Sequence, residues 1–156
     1  MSTISKPILR IVHRVAGGAA FCLIASFWLA TIIVELFGTT DQIVMVKTAI
    51  VWGLLALVPC LAATGGSGFT LARGQIAGLV AVKLRRMKLI AANGLLVLVP
   101  CAIGLAILAR NGQMDDVFIT LQVLELFAGL INLVLIGLNI RDGLRMRRPV
   151  RPRVTV

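Results

Sequence analysis

The sequence contains no tyrosine, two tryptophans and one histidine, and only six acidic residues stand against sixteen basic ones. Each scarcity removes a class of function. Aromatic residues make up 5% of the chain, too few to build the stacking surfaces that single-stranded nucleic acid needs. The net charge of +10 would suggest a nucleic-acid partner in a soluble protein. Here the basic residues flank apolar runs instead of lining a polar face, so no nucleic acid is expected. A single histidine, His13, leaves no His/Cys/carboxylate set with zinc spacing and no triad partner for Ser26 or Thr31. No metal site and no catalytic residue are assigned, and an enzyme is the less favoured reading. The three cysteines, Cys22, Cys60 and Cys101, sit in separate apolar runs with no Cys-x-x-Cys pair. A thiol-based redox centre needs a close pair, so all three read as small buried hydrophobes.

What the chain has in abundance is apolar sequence. Hydrophobic residues form 59% of it and charged residues 14%, against roughly half and a quarter in a soluble domain. One soluble core of this length cannot hide that much apolar surface, whereas a bilayer can. Four runs stand out, at about 15–37, 43–63, 89–109 and 117–138. Each is about the 20 residues that cross ~30 Å of hydrocarbon as a helix. A helix also satisfies its own backbone polar groups in lipid. The expected fold is an all-α integral-membrane four-helix bundle, with flanking basic segments at 1–14 and 139–156. The basic start at Lys6, Arg10 and Arg14 precedes an apolar run too long for a cleaved signal peptide, so span one is expected to be retained.

Charge orients the spans. Fourteen of the sixteen basic residues lie before span one, between spans two and three, or after span four; only Lys47 and Arg110 do not. The positive-inside rule places both termini and the middle link in the cytoplasm of an inner-membrane protein. The short outer loops, near Gly38–Gln42 and Arg110–Asp116, make two antiparallel hairpins. Within the link, Thr64-Gly65-Gly66-Ser67-Gly68 reads as a turn; it lacks the Gly-Lys-Ser/Thr ending and preceding strand of a phosphate loop. Beyond it, Ile76, Leu79, Val80, Leu84 and Met87 recur at helical spacing. This predicts an interfacial amphipathic segment whose Arg73, Lys83, Arg85, Arg86 and Lys88 meet anionic lipid headgroups. The Arg145–Arg153 run reads as a disordered basic tail near the membrane. Pro59 and Pro100 each remove a helix hydrogen bond and are expected to kink their spans.

Span four carries the chemistry that the chain has. Gln122, Glu125, Gly129, Asn132, Ile136 and Asn139 recur in steps of three and four, forming one stripe that should face the bundle interior. Such polar residues serve interhelical contact, and span two offers a stripe of Ala49, Gly53, Ala56, Cys60 and Ala63 for it. A lone glutamate inside a span is costly and must be paired, solvated or protonated. Glu35 in span one and Lys47 in span two lie in the same outer half. The expected site is therefore an intramembrane cluster in which Lys47 bridges Glu35 and Glu125, with Gln122 and Asn132 on the same stripe. At the inner edge, His13 and Met87 fall at similar depth and could ligate a haem iron. No other cofactor is expected.

Three functions fit these residues. The first is a non-enzymatic accessory or assembly subunit, working in a homodimer or larger membrane complex. The second is a proton- or cation-coupled small transporter built on the Glu/Lys cluster. The third is a haem- or quinone-linked membrane electron carrier using His13.

Overall fold

The computed structural model describes residues 5–72 and 77–145. Among the described residues, all regular structure is helical. Four helices are long and apolar enough to cross a membrane: α1 (Lys6–Phe37), α2 (Thr40–Leu71), α3 (Gly78–Arg110) and α4 (Asp116–Arg145). They mark a multi-pass membrane protein. Each has 30 to 33 residues. At ~1.5 Å per residue that exceeds the ~30 Å hydrocarbon thickness by several turns. The expected spans are therefore the apolar centres of longer rods. Residues 6–14 and 139–145, expected as flanking segments, are helical extensions. The remainder of the basic tail and Arg73 lie outside the described residues.

Local chemistry sets the helix ends. Pro7 stands in the first turn of α1, where a missing backbone N–H costs nothing. Thr39 caps α2 with a reciprocal box: its N–H donates to Gln42 Oε1 at 2.9 Å, and its hydroxyl accepts from Gln42 N–H at 3.4 Å. Asp115 caps α4 by accepting from the N–H groups of Val117 and Phe118 at 3.1 and 3.3 Å. Between α3 and α4 the chain turns through Gly112 at φ +69°, a left-handed conformation that glycine adopts without a steric penalty.

Two expectations fail in the link between spans two and three. Thr64–Gly68 is not a turn but part of α2, which continues to Leu71. The hydroxyls there fold back onto the preceding turn: Thr64 donates to the Cys60 carbonyl at 2.7 Å and Thr70 to the Gly66 carbonyl at 2.9 Å. These back-bonds share carbonyls that the helix already uses, and so satisfy the hydroxyls without ending it. The amphipathic segment is likewise not a separate helix. Gly78–Asn93 runs into Val99–Arg110 through a π-helical turn, Gly94–Leu98, as one rod. Pro100 gives the reason for the π turn. An α-helix there would drive its ring against the carbonyl four residues back. The wider turn, in which the Val99 N–H reaches back to the Gly94 carbonyl, takes up the proline without ending the helix.

The helices bury their small and branched residues together. Ala20, Ile24, Leu57, Ile90 and Ile136 bring all four helices into one cluster. Leu105, Ala109 and Phe118 form a second, flanked by Ile43 and Val44. Large apolar side chains such as Trp52, Leu55, Leu96 and Phe127 point outward. Meanwhile Thr31, Lys47, Ser67, Gln122, Asn132 and Asp142 are buried. Apolar outside and polar within is the arrangement that lipid imposes.

Candidate intramembrane polar site

The most costly group in the interior is Lys47. Its side chain is 0% exposed, and its Nζ donates to Glu125 Oε2 at 2.7 Å, joining α2 to α4. Glu125 is nearly as enclosed, with 12% of its side chain exposed. Two buried charges at this separation repay their desolvation only through close mutual contact.

Glu35 departs from expectation. It lies within electrostatic reach of both Lys47 and Glu125, but Lys47 does not bridge it: Glu35 Oε1 is buried with no hydrogen-bond partner in the protein. The physical reason is that Lys47 commits its short contact to Glu125. One helical turn from Glu125 on the same face of α4, Gln122 is 6% exposed and neither its amide nitrogen nor its oxygen has a partner. The thiol of Cys101, buried on α3, also lies within electrostatic reach of Lys47 and Glu125. Thus every helix sends a polar group toward this site. Of the other cysteines, Cys60 is partly buried and Cys22 is exposed, so Cys22 is not the buried hydrophobe expected.

The remaining members of the stripe serve other contacts. Asn132 is 1% exposed and accepts from Asn93 Nδ2 at 2.9 Å; Asn93 also donates to the Ala128 carbonyl at 2.8 Å. This amide pair joins α3 to α4 and abuts the π turn. Gly129 lets the Trp28 ring lie against the backbone of α4, where the indole N–H donates to the Leu126 carbonyl at 2.9 Å. In the span-two stripe, Gly53 receives the Phe27 ring, whereas Ala49 and Ala56 face outward.

A second polar group collects near residues 83–87. Arg86 donates to Asp142 Oδ2 at 2.6 Å, and Asp142 is 2% exposed. Arg86 is therefore paired within the protein, where it supplies the cation that the buried Asp142 carboxylate needs. Lys83 is also partly buried, beside Gly143, and its carbonyl accepts from Asn139 Nδ2 at 3.4 Å. Arg85 and Lys88 are exposed. His13 donates its Nδ1–H to the Thr64 carbonyl at 3.0 Å, with Ser67 Oγ at 3.1 Å. Gly68 brings His13 and Met87 together: a Cβ built there would lie 3.0 Å from the imidazole Cε1 and 3.2 Å from the Met87 methyl.

Asp142 and Asn93 make interhelical contacts that lie outside the cluster and stripe expected from the sequence. Asp142 is legible there, since one further step of three from Asn139 continues the stripe onto it. Asn93 is the lone amide in an otherwise apolar third run.

No protein-family model matches the chain, and no curated protein or solved structure matches it either. Among the described residues, no three His, Cys, Asp or Glu side chains group so as to hold a metal ion. The His13 surroundings consist of helix contacts from Thr64, Ser67 and Met87. An absorption spectrum of the purified protein, expressed with ample haem, before and after dithionite tests the haem reading, and a spectrum without a Soret band removes it. A Soret band that His13→Ala removes would establish the electron-carrier reading instead.

Proposed function

We propose that this chain is a non-enzymatic, multi-pass inner-membrane protein acting as an accessory or assembly subunit of a larger membrane complex. The observation that carries this reading is how the interior polar side chains are used. Lys47–Glu125, Asn93–Asn132, Arg86–Asp142 and His13–Thr64 each join two different helices. Such contacts fix helix order and rotation, and so fix which apolar faces a partner meets.

In this reading both termini and the 72–77 link are cytoplasmic, and the helices pair as two antiparallel hairpins. The distribution of fourteen basic residues supports the orientation. The pairing is supported by His13, early in α1, meeting Thr64, late in α2, while Phe27 meets Gly53 near the middle of both. Exposed Arg85 and Lys88 then face anionic headgroups on the cytoplasmic side.

Native electrophoresis after mild extraction from the membranes of origin tests the proposal. The expected result is migration in a heteromeric or dimeric assembly, with the Asn93→Leu variant partly released from it. A single-chain species under the gentlest extraction, with no cross-linked neighbour in intact membranes, contradicts it.

A second reading, a proton- or cation-coupled small transporter, is favoured by one specific observation. Glu35 Oε1 and both polar atoms of Gln122 are buried without partners beside the ion pair. A helix lock has no use for such groups. Ion flux through vesicles holding the purified chain alone separates this reading from the first.

A further inference from the structure

Among the described residues, three buried side-chain polar atoms have no protein partner, and they belong to Glu35 and Gln122. Glu35 lies within electrostatic reach of Lys47 and Glu125, and Gln122 is one turn from Glu125 on the buried face of α4. Gln122 is 94% enclosed at 6% exposure, and the full cost of burying an amide falls on the fold unless something bonds to it. A buried water typically satisfies about three polar atoms. The Glu35 oxygen together with the Gln122 carbonyl and amino groups makes such a set, with both donor and acceptor character.

We propose that Glu35 and Gln122 form a single-proton binding site, with Glu35 as the proton acceptor and a water bridging it to the Gln122 amide. The site goes beyond the assembly reading and does not depend on it. The charge balance inside the bundle gives the reason for one proton. With Lys47 positive and both glutamates ionised the cluster carries one net negative charge. One proton on Glu35 makes it neutral, and a neutral cluster is the cheaper one in lipid. Glu125 Oε2 is engaged by the Lys47 ammonium at 2.7 Å, whereas Glu35 Oε1 has no partner in the protein; a proton on Glu35 therefore leaves the ion pair intact. In the proton-transfer step a hydronium O–H bond breaks, a new O–H forms on the Glu35 carboxylate, and water is released; no electrons move.

Entry is from the end of the bundle that holds the α1–α2 turn. Glu35 is two residues from the end of α1 and only partly buried as a residue, so it connects the surface to the interior pair. The groups acting on it are Lys47 from α2 and Glu125 from α4, and the Cys101 thiol on α3 lies within reach of those same two. Asp41, Arg110, Asp115 and Asp116 lie at the exposed helix ends nearby.

Infrared difference spectroscopy of the full chain in lipid nanodiscs, perfused with buffers of stepped pH, tests the site. The expected result is one protonated-carboxyl C=O band that rises on acidification and moves to lower frequency in D2O. Glu35→Gln removes it, Gln122→Leu shifts it to higher frequency by taking away its hydrogen-bonded surroundings, and Asp41→Asn leaves it in place. If Glu35→Gln does not fold, Glu35→Asp is the second variant and should move the band. A band that survives Glu35→Gln, or that Glu125→Gln removes while Glu35→Gln does not, overturns the proposal. So does a wild-type spectrum with no carboxyl band throughout the pH range in which the protein is folded. None of these outcomes bears on co-migration with a partner, so failure here and failure of the assembly reading are distinguishable.

Discussion

Replacing Lys47 by methionine is expected to destabilise the bundle by about 3–5 kcal/mol, the range for removing one partner of a buried ion pair. The argument rests on what the substitution leaves behind. Methionine matches the length of the lysine stem, so packing changes little. The Glu125 carboxylate, however, loses its only cation at 2.7 Å and stays almost fully enclosed. It must then carry an uncompensated charge in low dielectric or take up a proton. Either course costs free energy that the wild type does not spend. Reversible unfolding in mixed micelles, followed by helical circular dichroism, measures the effect. A loss under about 1 kcal/mol would show that water reaches the pair, and that it contributes no more than an exposed salt bridge.

Gly53→Leu is expected to have the second largest effect, through shape and not charge. A Cβ at Gly53 would overlap the Phe27 ring, with the ring Cζ and Cε1 atoms both inside contact distance. A side chain there therefore has to push α1 away from α2 or force Phe27 off its rotamer. Overpacking of this kind typically costs about 1–3 kcal/mol. The same separation would also loosen the His13–Thr64 contact further along the helix pair. Phe27→Ala combined with Gly53→Leu should recover part of the loss, because the new side chain can enter the space the ring leaves. No change in unfolding for Gly53→Leu would mean that α1 and α2 do not approach as closely as described.

Much of the bundle was legible in the sequence because lipid imposes simple rules. Runs of about 20 apolar residues identify the four helices, and the stripe from Gln122 to Asn139 turns inward as its polarity requires. The Lys47–Glu125 pair was accessible for the same reason: two unlike charges in the outer halves of their spans have few other ways to be satisfied. Three features were not legible. Thr64–Gly68 has the composition of a turn in water, but its hydroxyls back-bond to the helix and its glycines admit His13 and Met87. The continuity of α3 depends on a π turn at Gly94–Leu98 that absorbs Pro100, and no local propensity announces such a turn. The split between Glu35 and Glu125 was also hidden. Sequence places both acids near Lys47, but only the three-dimensional contact decides which of them it bonds. Arg86 illustrates the reverse case. In sequence it is one of several basic residues near the membrane surface, and its partner Asp142 lies 56 residues away.

The central claim is that the interior is held by specific charge and amide contacts between helices, with Lys47–Glu125 the strongest. A double-mutant cycle with Lys47→Met, Glu125→Leu and both together measures it most directly. The account predicts that the double variant is more stable than Lys47→Met alone, with a coupling free energy of at least ~1.5 kcal/mol. Additive effects, agreeing within about 0.5 kcal/mol, would contradict it and show that the two residues do not form a pair in the folded membrane protein.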